Sequence, residues 1–221
     1  VTIIEFLPRI LTTEDEEISK RMPLQFKKNG VKVLTNTGVQ QITKKENRLI
    51  LHLDNNTCFE TDKVLMCVGR KPLNNIKWEK MELKTNREAI VIEETMQTNY
   101  DKIYAIGDVT GKLQLAHTAS KQGLIAAKHI ASRIYPDKYE APVEPLNYIN
   151  IPRCTFTHPE IASVGYLQKD AEAIFGEVKV GKFPFSANGK AVAMGNTTGF
   201  VKTIARKDTL ELVGMHIIGP N

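Results

Sequence analysis

The sequence predicts an α/β fold, and three observations predict it. An apolar run at residues 1–6, Val-Thr-Ile-Ile-Glu-Phe, is followed by a helix-start signal and then by a second apolar run at 31–34. Leu49, Leu51 and Leu53 alternate with period two, the signature of a half-buried strand. A segment of helical character from about Leu115 to Ile134 precedes a tail rich in apolar, strand-like runs. Strands alternating with helices around one core belong to the α/β class.

In chain order, Val1–Phe6 reads as a buried strand. Thr13 and Glu16 have capping-box spacing, so a helix is expected next. Ile18, Met22 and Phe26 fall near one face, and Gly30 is a stop signal. Pro23 lies inside it, which removes a hydrogen bond and predicts a bent or broken helix. Strands are expected at Val31–Leu34, Val39–Thr43, Arg48–Leu53, Cys58–Thr61 and Val64–Val68, with turns near Lys45-Glu46-Asn47 and Asn55-Asn56. Short strands at Ile90–Glu93 and Lys102–Ile106 lead into the long helix, and Pro136 lies just past its end. Ala116, Ala119, Gly123, Ala127 and Ile130 give that helix a face of mostly small residues, suited to close packing on a sheet or a cofactor. Pro142-Val143-Glu144-Pro145 reads as a linker. Beyond it come strands at Arg153–Thr157, Val178–Phe183, Gly199–Ala205 and Leu212–Ile218, and a helix from about Gln168 to Phe175.

Composition excludes several functions. The net charge is +5, but the basic residues are spread thinly and aromatics are 7% of the chain. A nucleic-acid surface would cluster them, so none is expected. No apolar run approaches the roughly 18 residues of a membrane helix. Cys58, Cys67 and Cys154 show neither metal-site nor CxxC spacing. An odd, sparse cysteine count suits a reducing compartment. Cys58 and Cys67 sit in strand-like runs and are expected to be buried, inert thiols. No metal site is expected. Both ends of the chain stop at a strand and read as cut from something longer.

Three features carry chemistry. Glu5 ends an apolar strand. In dinucleotide-binding folds an acid at the end of the second strand accepts hydrogen bonds from ribose hydroxyls and repels a 2′-phosphate. Taken alone, a Glu there reads first as a surface residue. Ala105-Ile106-Gly107-Asp108 is an apolar run ending in Gly and Asp. Gly107 lets a ligand approach the backbone, and Asp108 can accept from sugar or ribityl hydroxyls. An Asp that simply terminates a strand reads equally well. Leu115-Ala116-His117 opens the long helix, where free N–H groups and a partial positive charge would stabilise a reduced flavin. His117 alone reads as a cap or a solvent group.

Several segments then fall in one order: Val1–Glu5, Val68-Gly69-Arg70-Lys71-Pro72, Thr98-Asn99, Tyr104–Val109, Leu115–His117, Thr157–Gly165, Phe183-Pro184-Phe185 and His216–Asn221. The ordered set resembles the flavoprotein pyridine nucleotide-disulfide oxidoreductases, and among them the dihydrolipoamide dehydrogenases, over the whole chain. The resemblance implies an α/β protein in three parts. These are the C-terminal part of a Rossmann-like NAD-binding domain at 1–68, a central FAD-contacting domain at 69–143, and the N-terminal part of an α+β dimer-interface domain at 144–221.

The same resemblance implies roles by position. Glu5 matches the NAD ribose acid, Val39 a position at the adenine side, and Gly69 a glycine beside the nicotinamide nucleotide. Asp108 matches the FAD ribityl ligand, and Gln114, Leu115, Ala116 and His117 the segment along the flavin. The redox cysteines, both Gly-rich loops and the catalytic His and Glu match nothing in this chain, so no catalytic residue is expected in it. His158-Pro159-Glu160 looks like a His–Glu couple, but its surroundings match an interface strand and turn. The intact enzyme would oxidise dihydrolipoamide to lipoamide and reduce NAD, with FAD between them. It would act as a homodimer, with a lipoyl-bearing protein of an acyl-dehydrogenase complex as partner, in a bacterial cytoplasm or a mitochondrial matrix. A mercuric or glutathione reductase is the nearest rival, and an inactive interaction module the next. The acid and single Arg of Glu5-Phe6-Leu7-Pro8-Arg9 favour NAD over NADP.

Overall fold

In the computed structural model, which describes residues 1–73, 81–139 and 144–220, strands and helices follow in this order. Strand β1 (Thr2–Ile4) leads to helix α1 (Glu16–Lys28) and strand β2 (Lys32–Leu34). Strands β3 (Val39–Lys45), β4 (Arg48–Leu53) and β5 (Cys58–Thr61) come next, then β6 (Thr85–Asn86) and β7 (Ala89–Ile90). Helix α2 (Ala116–Ile134) is followed by β8 (Arg153–Thr155), β9 (Glu160–Gly165), α3 (Gln168–Phe175), β10 (Val178–Pro184), α4 (Gly189–Ala193), β11 (Phe200–Arg206) and β12 (Leu212–Gly219). They gather in two units, Val1–Met66 with Pro152–Asn221, and Cys67–Ile151. Pro142 and Val143 of the expected linker lie outside the described residues. No described helix is long and apolar enough to cross a membrane.

The first unit holds three sheets. β1 and β2 pair in parallel, and α1 supplies the crossover that parallel neighbours need. β3, β4 and β5 form an antiparallel meander in which Leu51 faces Phe59 and His52 faces Cys58. The five-stranded sheet has the order β10-β11-β12-β9-β8, all antiparallel. One core joins the early and late parts of the chain. Ile18 and Met22 of α1 pack with Ile10, Ile161 of β9 and Ile218 of β12, and Ile3, Phe26, Val33 and Phe200 close around them. Burying a side chain of this size stabilises by about 1.5–3 kcal/mol.

That burial explains α1. The helix is unbroken through Pro23. Proline in a helix interior costs on the order of 3 kcal/mol, which the fully buried Ile18 and Met22 offset. Its N-cap is Asp15 rather than Thr13, and the Glu17 N–H donates to Asp15 Oδ1 at 3.0 Å. The helix stops at Asn29, and Gly30 follows with φ +75°, a conformation that favours glycine.

A second helix and a β-hairpin shape the other unit. α2 buries Thr118, Gln122, Ile125 and Ala126. Ile125 and Ala126 form a core with Met96, walled by Ile92, Tyr104 and Leu146. On the expected small-residue face, Ala119 and Gly123 lie close to Gly107 and Ile106, whereas Ala116, Ala127 and Ile130 are exposed.

Several expected strands differ. Residues 64–68 form no ladder among the described residues, and Leu65, Met66 and Val68 are largely exposed. An apolar run becomes a strand only when a neighbour takes its backbone groups. Residues 102–106 make a single antiparallel bridge, Gln97 with Tyr104, because the chain turns within a few residues at 98–103. The short strand near Ile90 is Ala89–Ile90, paired with Thr85–Asn86, which the sequence did not mark. β1 is half-buried rather than buried, since only β2 pairs with it among the described residues. All three cysteines are exposed, against the expectation for Cys58 and Cys67. Cys58 alternates with the apolar positions of its sheet and faces the open side, and Cys67 lies in the unpaired segment.

Candidate functional site

The sequence-marked residues fall into two groups, one in each unit. In the first unit, β1 ends at Ile4 and Glu5 follows at its carboxyl end. The Glu5 N–H donates to Leu34 O at 2.8 Å, and Glu5 O accepts from the Thr37 N–H at 3.0 Å. The Leu7 N–H donates to Glu5 Oε1 at 2.7 Å, which fixes the carboxylate beside the strand end. The Thr37 bond draws the segment before β3 toward Glu5. The Gly38 N–H donates to Asp54 Oδ2 at 2.8 Å. A Cβ on Gly38 would stand 2.8 Å from that oxygen and 3.5 Å from the Phe6 ring, so a side chain there would displace the bond. Val39 follows at the start of β3, 42% exposed. Glu5, Phe6 and Gly38 thus share one edge, and Val39 comes next in the chain.

Arg9, the single basic residue after β1, is already engaged. Its Nη1 donates to Ser19 Oγ and, at 3.2 Å, to Glu14 O, and its Nη2 donates to Thr12 O at 3.1 Å. The guanidinium closes the loop that precedes α1. It is spent on backbone carbonyls and is not free to bind a phosphate.

In the second unit, Gly107–Thr110 makes a single 3₁₀ turn. Gly107 has φ +76°, and a Cβ there would meet Ala119 of α2 at 3.4 Å. Glycine is required by the backbone and favoured by the close approach to α2. The turn is held by Gln122, which is fully buried. The Gly107 N–H donates to Gln122 Oε1 at 2.6 Å, and Gln122 Nε2 donates to the Tyr148 hydroxyl at 2.9 Å and to Thr110 Oγ1 at 3.4 Å. Thr110 Oγ1 donates back to Gly107 O at 2.8 Å. Asp108 rides on this turn with an exposed side chain.

Gln114 and Leu115 are half-buried, and Ala116 and His117 are exposed at the start of α2. The N-cap, Leu115, offers no side-chain oxygen to the first turn of α2, whose N–H groups form the positive end of the helix. An exposed carboxylate, a glycine turn pinned from behind and a helix N-terminus together suit a ligand with hydroxyls and developing negative charge. That fits a flavin with its ribityl chain. Gly69 has φ +110°, again a conformation that favours glycine, and a Cβ added there would meet no atom within 4 Å. Sequence reasoning missed Gln122, since a polar residue inside a helix reads as surface; its place between Thr118 and Ala126 on one helical face was the available signal.

His158 precedes a cis peptide to Pro159, whose carbonyl accepts from Thr157 Oγ1 at 2.8 Å, and Glu160 opens β9 opposite Gly219. Among the described residues, no group of three or more His, Cys, Asp or Glu side chains is arranged to hold a metal ion.

Two family models match the chain. Residues 1–123 match the family model described as pyridine nucleotide-disulphide oxidoreductase. Residues 151–221 match the model described as its dimerisation domain. A dihydrolipoyl dehydrogenase of Mycobacterium leprae is 42% identical over 100% of this chain and 47% of its own length. One from Bacillus subtilis is 40% identical over 100% of this chain and 46% of its own. Among solved structures, LpdA from Mycobacterium tuberculosis superposes with a TM-score of 0.87 at 25% identity, covering 100% of this chain and 47% of that one. The HOCl-induced flavoprotein disulfide reductase RclA from Escherichia coli does so with 0.85 at 25% identity, covering 100% and 49%. The chain spans about half the length of the curated relatives it matches.

Proposed function

The chain belongs to the pyridine nucleotide-disulphide oxidoreductase family, and on that premise we propose that it supplies part of an NAD-dependent flavoprotein disulfide reductase whose intact form oxidises dihydrolipoamide to lipoamide. The observation that carries this reading is the Gly107–Asp108 turn, clamped by Gln122 beside the start of α2. FAD, when bound, would supply the two-electron chemistry that links a dithiol to NAD. Asp108 would accept from the ribityl hydroxyls, and Gln114, Leu115, Ala116 and His117 would run along the flavin. Glu5 would accept from the NAD ribose hydroxyls, with Val39 at the adenine side and Gly69 beside the nicotinamide nucleotide. The engagement of Arg9 by backbone carbonyls supports NAD over NADP, because a 2′-phosphate would find a carboxylate and no free guanidinium.

In this reading residues 1–68 belong to an NAD-binding domain, 69–143 to a central FAD-contacting domain and 144–221 to an interface domain. The match to a dimerisation-domain model supports a homodimer, and the relatives' name, dihydrolipoyl dehydrogenase, supports a lipoyl-bearing partner protein; a bacterial cytoplasm or a mitochondrial matrix is the compartment proposed with it. The family resemblance matches no residue of this chain to the redox cysteines or the catalytic base, so the 221 residues alone should turn over no disulfide.

The test is steady-state turnover of the full-length protein with NAD and dihydrolipoamide, beside NADPH with glutathione disulfide. Preference for NADPH would move it to the glutathione-reductase branch. Asp108→Asn should lower the flavin retained after gel filtration, read from absorbance; unchanged flavin content would remove Asp108 from the site.

A further inference from the structure

The open face of the β3–β4–β5 sheet carries a second group of reactive side chains. None of them belongs to the nucleotide or flavin set above. His52 of β4 stands directly opposite Cys58 of β5. Strand alternation turns Leu51 and Leu53 to the buried side and leaves His52 on the other face. His52 Nδ1 lies 3.5 Å from Cys58 Sγ, and His52 Nε2 lies 3.0 Å from Thr43 Oγ1 of β3. A cavity of about 480 Å³ opens beside the pair, and Gln40, Gln41, Asn56 and Thr57 line it with the two side chains.

The chemistry follows from the order of contacts. The Thr43 hydroxyl can accept the Nε2–H of a neutral imidazole. That tautomer leaves the Nδ1 lone pair facing the Cys58 thiol, as a base should. A nucleophile within reach of a base, with the base oriented by a third group, is the arrangement that activates thiols. Cys67 and Cys154 are also exposed. Among the described residues, neither has a hydrogen-bonded base beside it.

We propose that Cys58 is a modification site for low-molecular-weight peptide disulfides, with His52 as its base and Thr43 as the residue that positions His52. The thiol proton passes to His52 Nδ1. The sulfur attacks one sulfur of the disulfide, a new S–S bond forms to Cys58, and the old S–S bond breaks. The departing thiolate takes the proton back from the imidazolium. Cys58 is oxidised and the departing half of the disulfide is reduced, so no other oxidant is needed. The amide and hydroxyl groups of Gln40, Gln41, Asn56 and Thr57 offer donors and acceptors to the peptide part.

Oxidised glutathione is the probe. The folded chain is incubated with it near neutral pH, and each cysteine's rate is read by quenched peptide mapping. Cys58 should react on the order of tenfold faster than Cys67 and Cys154, because it alone of the three has a base in contact among the described residues to take its proton. His52→Gln, which can hydrogen-bond but not take the proton, should bring Cys58 down to the rate of the other two. Thr43→Val should lower it less, and Thr43→Ser should restore it. Unchanged circular dichroism and thermal unfolding report an intact fold in each variant. Should His52→Gln misfold, the wild-type rates and the Thr43 pair still decide. A wild-type Cys58 no faster than the other two cysteines, or one indifferent to both His52→Gln and Thr43→Val, overturns the assignment.

Discussion

Two buried polar networks hold the two units, and they are built on opposite principles. In the first unit, Lys202 of β11 reaches Asp15 at 2.9 and 3.0 Å and Glu17 Oε1 at 2.9 Å, and Lys182 of β10 pairs with Glu17 Oε2. Lys202 and Asp15 are 1% and 2% exposed, and 187 residues separate them. In the second unit, Gln122 binds Gly107, Thr110 and Tyr148 without any charge, and the farthest partner is 26 residues away. The ionic knot ties α1 to the five-stranded sheet across the chain. The neutral clamp shapes a local turn. A buried charge stripped of its partner costs far more than a buried amide partner removed, so the two networks should fail by different amounts and under different conditions.

The largest effect should come from breaking the knot on one side. Lys202→Met leaves Asp15 buried without its cation, and should cost about 3–5 kcal/mol. Urea unfolding reads it. Adding Asp15→Asn to Lys202→Met should recover most of that loss, because Asn still caps α1 and no charge remains buried. A double variant as unstable as the single one would show that packing, not the unpaired charge, sets the cost.

Acid sharpens the same contrast. Burial works against ionised Asp15, yet the Lys202 hydrogen bonds, the Glu17 N–H and the nearby positive charge together hold its carboxyl below its ordinary 3.8. Burial likewise opposes Glu17, and Lys182 and Lys202 hold it below 4.5. A carboxyl depressed by folding contributes its stability in full above its ordinary value and loses it as pH falls through the folded value. The first unit should therefore weaken as pH drops below about 4. The Lys202→Met variant should show a flatter acid slope in urea unfolding. An equal slope in wild type and variant would detach the knot from acid stability.

The clamp should give less. Gln122→Leu leaves the Gly107 N–H, Thr110 and Tyr148 with a partner missing, at about 1–3 kcal/mol. The change should not vary between pH 5 and 8, since no titrating group is lost. In the full-length protein it should also lower bound flavin, because the turn that carries Asp108 loses its support. Thermal unfolding and flavin absorbance check the two parts. A loss as large as that of Lys202→Met would erase the difference between the networks.

What the sequence showed and hid follows the same division between local and distant causes. The β3–β4 hairpin was legible because Leu49, Leu51 and Leu53 alternate, and α2 and α3 because their spacing and end signals are local. The start of α1 was not. Thr13 and Glu16 satisfy a capping box, but Asp15 takes the cap where Lys202, on a strand far along the chain, fixes its carboxylate. The run at 64–68 reads as a strand on composition, yet a strand needs a neighbour that composition does not name. At the candidate site, the Gly107–Asp108 turn announces itself by residue type. Gln122 does not, because its partners Gly107 and Tyr148 meet it only after folding.

The smallest effect tests whether burial, rather than ion-pair geometry, separates strong from weak contacts. Lys207 Nζ lies 2.5 Å from Glu177 Oε2, closer than Lys202 lies to Asp15. Their side chains, however, are 53% and 72% exposed. Water already solvates both charges, so neither is left uncompensated when the other is removed. Lys207→Ala should cost at most about 1 kcal/mol, and the coupling to Glu177→Ala in a double-mutant cycle should shrink in salt, where screening acts within about 8 Å at 0.15 M. The Lys202–Asp15 coupling should resist the same salt, because solvent ions do not enter between buried groups. A coupling at Lys207–Glu177 above about 2 kcal/mol, or an equal salt response at the two pairs, would mean that short distance alone accounts for the knot.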